Sequence, residues 1–320
     1  MTVTDFSVND RTKRVREHID KLYATGKALG DDDQLYSFLP ASVTPGRARF
    51  IGKICGAEGA LTSVETGMAW GLSTLTILEA LIQNGAGPGA HVVMDPAQSS
   101  KYHKAAVRAV RDAGAAEMVE FYEEPSELAL PRLLAEGRRF DFAYIDGNHS
   151  FEGAFIDFFY VDRMLKPGGV FVIDDYNIHA VRLTCDFADL YQGYTLIDED
   201  FDGVKPHKER RWFGLVSPVP SLPWIRAYRK PMKEPDRKSF QLLPMYMGFS
   251  QYRRYAGNQL RRQGLTALAN GDATAARRAL IQAIKAEPDH LKPYLALART
   301  YLPRKVAMAL SGRGRDKFRV

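Results

Sequence analysis

From residue 61 onward, short apolar runs alternate with longer stretches whose apolar residues recur at helical spacing. The runs span 61–66, 91–95, 119–122, 140–146 and 170–174, and their length and composition predict strands. Helices are predicted near 72–83, 100–113, 126–136 and 153–165. Strand and helix in regular alternation imply right-handed crossovers and a parallel sheet covered on both faces, an α/β, doubly wound, mostly parallel arrangement. Upstream, residues 5–38 read as a helical lead-in, with Val15, Ile19 and Leu22 on one face. Ser42-Val43-Thr44-Pro45-Gly46 reads as a turn, and 47–57 as a helix with Phe50, Ile51 and Ile54 inward. Downstream, Pro218, Pro220, Pro223, Pro231, Pro235 and Pro244 mark an extended linker, and two or three helices follow between about 249 and 310. The expected organisation is a lead-in over 1–45, an α/β domain over 46–216, a linker over 217–248 and a basic helical tail over 249–320.

Polar residues sit where the predicted strands end: Glu65, Asp95, Glu123, Asp146 and Asp174. Open α/β sheets bind ligands just beyond those ends. Carboxylates there must be solvated or paired, which packing alone does not call for. After the first run comes Glu65-Thr66-Gly67-Met68-Ala69-Trp70-Gly71-Leu72-Ser73. Gly67 permits a tight turn, and Gly71 stands where the next helix begins. The dinucleotide fingerprint needs a glycine where Ala69 stands, and the Walker lysine is missing. The loop therefore suits a ligand without phosphates, such as an adenosine carrying an amino acid, with Asp95 placed for ribose hydroxyls.

Composition narrows the class without changing it. Hydrophobic residues make up 45% and charged residues 26% of the 320, ordinary globular values. No apolar run approaches the roughly 18 residues of a membrane span, and Met1 to Arg16 lack a signal-peptide pattern. The two cysteines, Cys55 and Cys185, show no metal-type spacing and read as reduced thiols. A cytoplasmic protein is expected. Charge is uneven: residues 221–320 carry 21 Lys/Arg against 6 Asp/Glu, and residues 1–220 carry 23 against 32. The basic part is either a set of solvated faces or a surface for anionic lipid, glycan or nucleic acid. No basic stripe interleaved with aromatics supports nucleic acid. Trp224 with Arg226, Arg229 and Lys230 leaves a peripheral membrane contact open.

Three segments carry a family likeness. They are the loop from Glu65 to Ser73 with the turn at Ser42-Val43-Thr44, the run Asp146-Gly147-Asn148-His149-Ser150-Phe151-Glu152-Gly153, and Leu165-Lys166-Pro167-Gly168-Gly169 through Asp174-Asp175. Over residues 40–215 the chain resembles class I S-adenosylmethionine-dependent methyltransferases. The nearer likeness is to the catechol-type and the macrocin- or cephalosporin-pathway O-methyltransferases, with their DGxHxYEG and LxPGGxxxxDD motifs. The resemblance implies S-adenosylmethionine as cofactor. Val43 would lie against its methionine part. Glu65, Gly67 and Gly71 would frame the amino-acid end, with Ser73 on the carboxylate, Asp95 on the ribose and Ser126 beside the adenine; Asp146 would also touch the cofactor and share the catalytic role with His149.

It also implies Mg²⁺ at Asp146, Asp174 and Asp175, where three converging carboxylates would repel one another without a cation. Metal-free members use the same positions for backbone contacts, and that alternative stays open. His149 stands at the position of the catalytic base, with His179 a weaker candidate for substrate contact. The implied function is methylation of a hydroxyl on a sugar, glycan or small metabolite, by a homo-oligomer; the alternative within the enzyme class is a metal-independent O- or N-methyltransferase. The tail, through Gly264, Ala276, Leu280, Ala283 and Pro288, resembles a tetratricopeptide unit. A decayed domain serving as a scaffold is the non-enzymatic alternative.

Overall fold

The computed structural model describes residues 7–38, 42–197, 211–212, 215–216, 223–233, 249–286 and 291–301. The chain divides into two compact units, 1–235 and 236–320.

In the first unit, helix α1 (Val8–Thr25) is capped by the Ser7 hydroxyl and ends on Gly26 in the left-handed conformation. A hairpin of β1 (Lys27–Leu29) and β2 (Leu35–Ser37) follows. The lead-in expected to be helical thus contains a two-stranded ribbon, because Gly26 and Gly30 break the helical pattern after one amphipathic stretch. Helix α2 (Pro45–Ala57) starts at the predicted turn, with Thr44 as N-cap and Pro45 in the first turn.

The sheet contains β3 (Ser63–Thr66), β4 (His91–Met94), β5 (Val119–Tyr122), β6 (Phe140–Ile145), β7 (Leu165–Ile173), β8 (Thr195–Leu196) and β11 (Arg226–Arg229). Between β8 and β11 lies a separate two-stranded pairing of β9 (Arg211–Trp212) with β10 (Leu215–Val216). The seven-stranded order is β5-β4-β3-β6-β7-β11-β8. The first five neighbours pair in parallel, and β11 runs antiparallel to both β7 and β8. Helices α3 (Leu72–Gln83), α4 (Ala105–Asp112), α5 (Ser126–Ala135), α6 (Phe151–Met164) and α7 (His179–Gln192) complete the layers. The fold is a Rossmann-like, mostly parallel α/β sheet.

Alternation along the strands sends side chains to two cores. Val93, Phe142, Tyr144, Val170 and Val172 join α1 to α4 on one face. Val64, Val92, Ala143, Ile145, Phe171 and Ile173 join α5, α6 and α7 on the other. Helix α3, buried from Leu72 to Ile82, is the pivot of the first face, and both α1 and α2 pack on it.

The sheet extends past the domain end expected at residue 216. Part of the Pro-rich segment is strand β11, whose Ala227 and Tyr228 are buried and which is flanked by the buried Ile225 and Lys230. Lys230 donates to the carbonyls of Asp162 (2.6 Å) and Leu165 (2.8 Å). Prolines suit the flanks of a strand but not its interior, and here Pro223 and Pro231 bracket the four paired residues.

In the second unit, α8 (Phe249–Ala269), α9 (Ala273–Ala286) and α10 (Leu291–Arg299) follow one another. A Cβ on Gly264 would lie 2.6 Å from Leu280 Cγ, so the glycine lets α8 and α9 cross closely. Ala276, Leu280 and Ala283 are fully buried, and Pro288 lies outside the described residues. No described helix is long and apolar enough to cross a membrane.

Candidate functional site

The carboxyl ends of β3, β6 and β7 open on a cleft of about 650 Å³. The turn at Gly67 sets its floor. Gly67 has φ +86°, and a Cβ there would stand 2.2 Å from the carbonyl oxygen of Asp146. Only glycine lets the β3 and β6 ends approach so closely. Gly71, at φ +82°, backs onto Ala106 and begins α3. No side chain caps α3, so its first N–H groups and the positive end of its dipole are available to an anionic ligand group. Ala69 also takes a positive φ, 45°, a strained state of the kind that concentrates at binding loops.

The two carboxylates of the cofactor reading are buried and are not among the residues that line the cleft. Glu65 is fully buried and accepts bonds from Ser73 Oγ (2.6 Å) and Thr74 Oγ1 (2.8 Å), with His91 Nε2 at 2.9 Å. His91 is held in turn by Ser63 through Nδ1, at 2.7 Å. Asp95 accepts the backbone N–H groups of Met68 (3.1 Å), Ala69 (2.7 Å) and Ala97 (2.8 Å), and the Gln98 amide (3.2 Å). Both residues therefore brace the glycine loop from behind. Val43 and Ser73 line the cleft. The Val43 carbonyl is fixed by the Tyr23 hydroxyl at 2.9 Å.

Ser126 opens α5 outside the cleft lining, and its hydroxyl approaches the fully buried Asp157. Burial raises the Asp157 carboxyl to about 6, against the pull of the Ser126 and Thr66 hydroxyls. Neither Asp157 oxygen reaches full hydrogen-bond geometry. Asp157 was not marked by the sequence patterns; it lies on the aromatic-rich helix α6, less than two turns from its start.

The other end of the cleft carries Asp146, His149, Asp174 and Asp175. Its turn is shaped locally: Asn148 Oδ1 accepts the Ser150 N–H (2.9 Å), and Ser150 caps α6 through the Gly153 N–H (3.1 Å). A Cβ on Gly153 would meet Asn148 Cβ at 2.6 Å. His149 is thereby held between two carboxylates, with Nε2 3.2 Å from Asp146 Oδ1 and Nδ1 3.3 Å from Asp175 Oδ2. The bond to Asp146 raises its pKa against the effect of burial, and the Asp146 and Asp175 charges add to the rise. Burial shifts both Asp146 and Asp175 upward, as does the charge of Asp174, while His149 draws both back. The shared proton belongs on the imidazole, whose two nitrogens each face a carboxylate oxygen.

Asp174 has a different environment. It is 2% exposed. Its Oδ1 accepts from Arg47 (2.7 Å) and from the Asp175 N–H (2.8 Å), and its Oδ2 accepts from the buried Tyr144 hydroxyl (2.8 Å). The expected set of Asp146, Asp174 and Asp175 is thus split. Among the described residues, the groups that bring ligand atoms within 4.8 Å of one another are Asp146, His149 and Asp175. Two carboxylates and an imidazole can hold a divalent ion, although oxygen-only sets suit Mg²⁺ better. Arg47 is a second residue that the sequence patterns did not mark. It lies 127 positions from Asp174, and only the fold brings the two together. Trp224, under the Arg47 guanidinium at 5.3 Å, completes that wall.

Comparison with known proteins comes to rest on the same segment. Residues 64–176 match the family model described as "Methyltransferase domain". No curated protein sequence matches the chain. Among solved structures, an O-methyltransferase from Bacillus cereus in complex with SAH is 18% identical, over 68% of this chain and 91% of that one, with a TM-score of 0.46. The O-methyltransferase TomG from Streptomyces achromogenes, in complex with SAM, is 15% identical over 68% and 89%, at 0.49. A SAM-dependent O-methyltransferase from Thermotoga maritima is 14% identical over 68% and 73%, at 0.46. The chain carries a methyltransferase domain over residues 64–176.

Proposed function

We propose that the chain transfers a methyl group from S-adenosylmethionine to a hydroxyl of a sugar or other small hydroxylated metabolite. The observation that carries this reading is a single cleft with two chemically distinct ends. One end is the uncapped start of α3 behind Gly67 and Gly71; the other is His149 between Asp146 and Asp175. The first N–H groups of α3, that of Ser73 among them, suit the carboxylate of an amino acid. Gly67, Val43 and Met68 leave room for its chain. The bound cofactor supplies a methyl already activated on a sulfonium.

The protein's part is alignment and proton removal. Trp70, Tyr102 and Trp224 line the cleft and offer faces against which a ring can stack. Once neutral, His149 takes the proton of the attacking hydroxyl, and Asp146 or Asp175 holds the imidazole in the orientation that receives it. Alignment of this kind supplies effective molarities of about 10⁵–10⁸ M in favourable cases. A divalent ion, if bound, would be held by Asp146 and Asp175 beside His149, and would lower the pKa of the acceptor hydroxyl. The Arg47 bond to Asp174 favours the alternative in which the reaction runs without it.

The test is calorimetric titration of S-adenosylmethionine into the full chain, with Mg²⁺ and with EDTA, followed by release of the demethylated cofactor with monosaccharide and catechol acceptors. Binding that Asp146→Ala weakens, with turnover on one acceptor class, is the expected result. No binding in either condition would sink the proposal.

A further inference from the structure

A cation at the start of a helix is badly placed by the helix itself, since the dipole there favours negative charge. Arg47 is in the first turn of α2, which has no acidic residue to offset it. Its side chain is nonetheless only 16% exposed. It reaches across the cleft to Asp174 Oδ1 at 2.7 Å, lies 3.8 Å from Asp175 Oδ1 and stacks on Trp224. The carboxylates are what justify this position. Three acidic side chains gathered at two adjacent strand ends call for positive charge, and the chain supplies it from within by the permanently charged Arg47 at Asp174, while the His149 ring lies between the other two.

We propose that Arg47 is the built-in counter-cation of this cluster, and that a divalent ion binds all three carboxylates only by displacing the guanidinium from Asp174. Three of the roughly four acceptor sites of the Asp174 carboxylate are taken: Arg47 and the Asp175 N–H hold Oδ1 and the Tyr144 hydroxyl holds Oδ2, and of these only the Arg47 side chain, which also brings the opposing positive charge, can leave without moving the strand ends. Residue 47 therefore sets how strongly this site takes a metal. The inference rests on the methyltransferase reading only in treating the cluster as the acceptor end of the cleft.

Mn²⁺ binding to the full chain, read from the loss of the free-ion electron paramagnetic resonance signal, tests it. Wild type, Arg47→Met, Arg47→Lys and the double variant Arg47→Met with Asp174→Asn would be compared. Arg47→Met is expected to bind Mn²⁺ about tenfold more tightly than wild type, equivalent to about 1.4 kcal/mol. Arg47→Lys should stay near wild type, and the double variant should lose the gain. Circular dichroism melting establishes that each variant is folded, and Arg47→Gln replaces Arg47→Met if the latter is not. Equal or weaker binding by the neutral variant, a gain that survives Asp174→Asn, or no Mn²⁺ binding by any of the folded proteins would overturn the proposal. Titration of S-adenosylmethionine into the same samples keeps the two readings apart. Cofactor binding without the Mn²⁺ pattern defeats the counter-cation alone, and the Mn²⁺ pattern without cofactor binding defeats the methyltransferase reading alone.

Discussion

Two groups of carboxylates end the strands of one sheet, and they are used in opposite ways. Glu65 and Asp95, behind the glycine loop, are buried, and hydroxyls, amides and an imidazole occupy their oxygens. Asp146 and Asp175, in the cleft, have only His149 at hydrogen-bond range on the oxygens that face it, with the Tyr144 hydroxyl 3.3 Å from the second Asp146 oxygen. A strand-end position therefore does not make an acid a ligand; unspent valence facing the cleft does. Asp174 stands between the two cases, open in position and satisfied in chemistry.

The comparison is broken most sharply at His149. If the cleft acids serve the reaction and not the fold, His149→Ala should lower kcat by about 10²–10⁴-fold and leave the melting temperature and cofactor affinity close to wild type. Steady-state kinetics beside calorimetry checks this, and a fall in stability with unchanged kcat would reverse the assignment.

Asp95 should behave the other way round. Asp95→Ala leaves the buried Met68 N–H and the half-buried Ala69 and Ala97 N–H groups without their acceptor. A loss of about 3 kcal/mol in urea unfolding is expected, at about 1–3 kcal/mol per unsatisfied group with partial relaxation. Cofactor binding should weaken with it, because the glycine loop loses its brace.

The smallest effect concerns pH. His149 acts as a base only when neutral, and its pKa lies above the ordinary 6.5. In EDTA, kcat/KM should therefore rise with pH through a limb above 6.5. Asp175→Asn removes one of the charges responsible and should move that limb to lower pH. A limb that does not move assigns the titration to another group.

Much of this was legible in the chain itself. The five parallel strands, the helices between them and the turn at Gly67 follow from apolar periodicity and from glycine placement. The strand-end acids were legible as positions, but not in what they do. Whether Asp95 faces a ligand or three backbone amides depends on the path of the loop at Met68 and Ala69, which no local pattern encodes. The pairing of Arg47 with Asp174 joins residues far apart in sequence, and the residue spacing on either side carries no trace of it. Strand β11 was hidden for a different reason. Four residues with an arginine at each end and no strict alternation, set among prolines, look like linker until an open sheet edge is available to pair with them.

That last strand has a consequence for how the protein is made. Strand β8 joins the sheet only through β11, which is synthesised after it and enters between β7 and β8. On the ribosome, the edge of β7 stays unpaired until the chain through Lys230 has emerged, and exposed edges of this kind recruit other chains. Trp224 arrives at Arg47 with the same segment. A chain interrupted before Pro223 would keep Gly67, Asp146 and His149, yet would lack the wall of its cleft and carry an adhesive flank in its place.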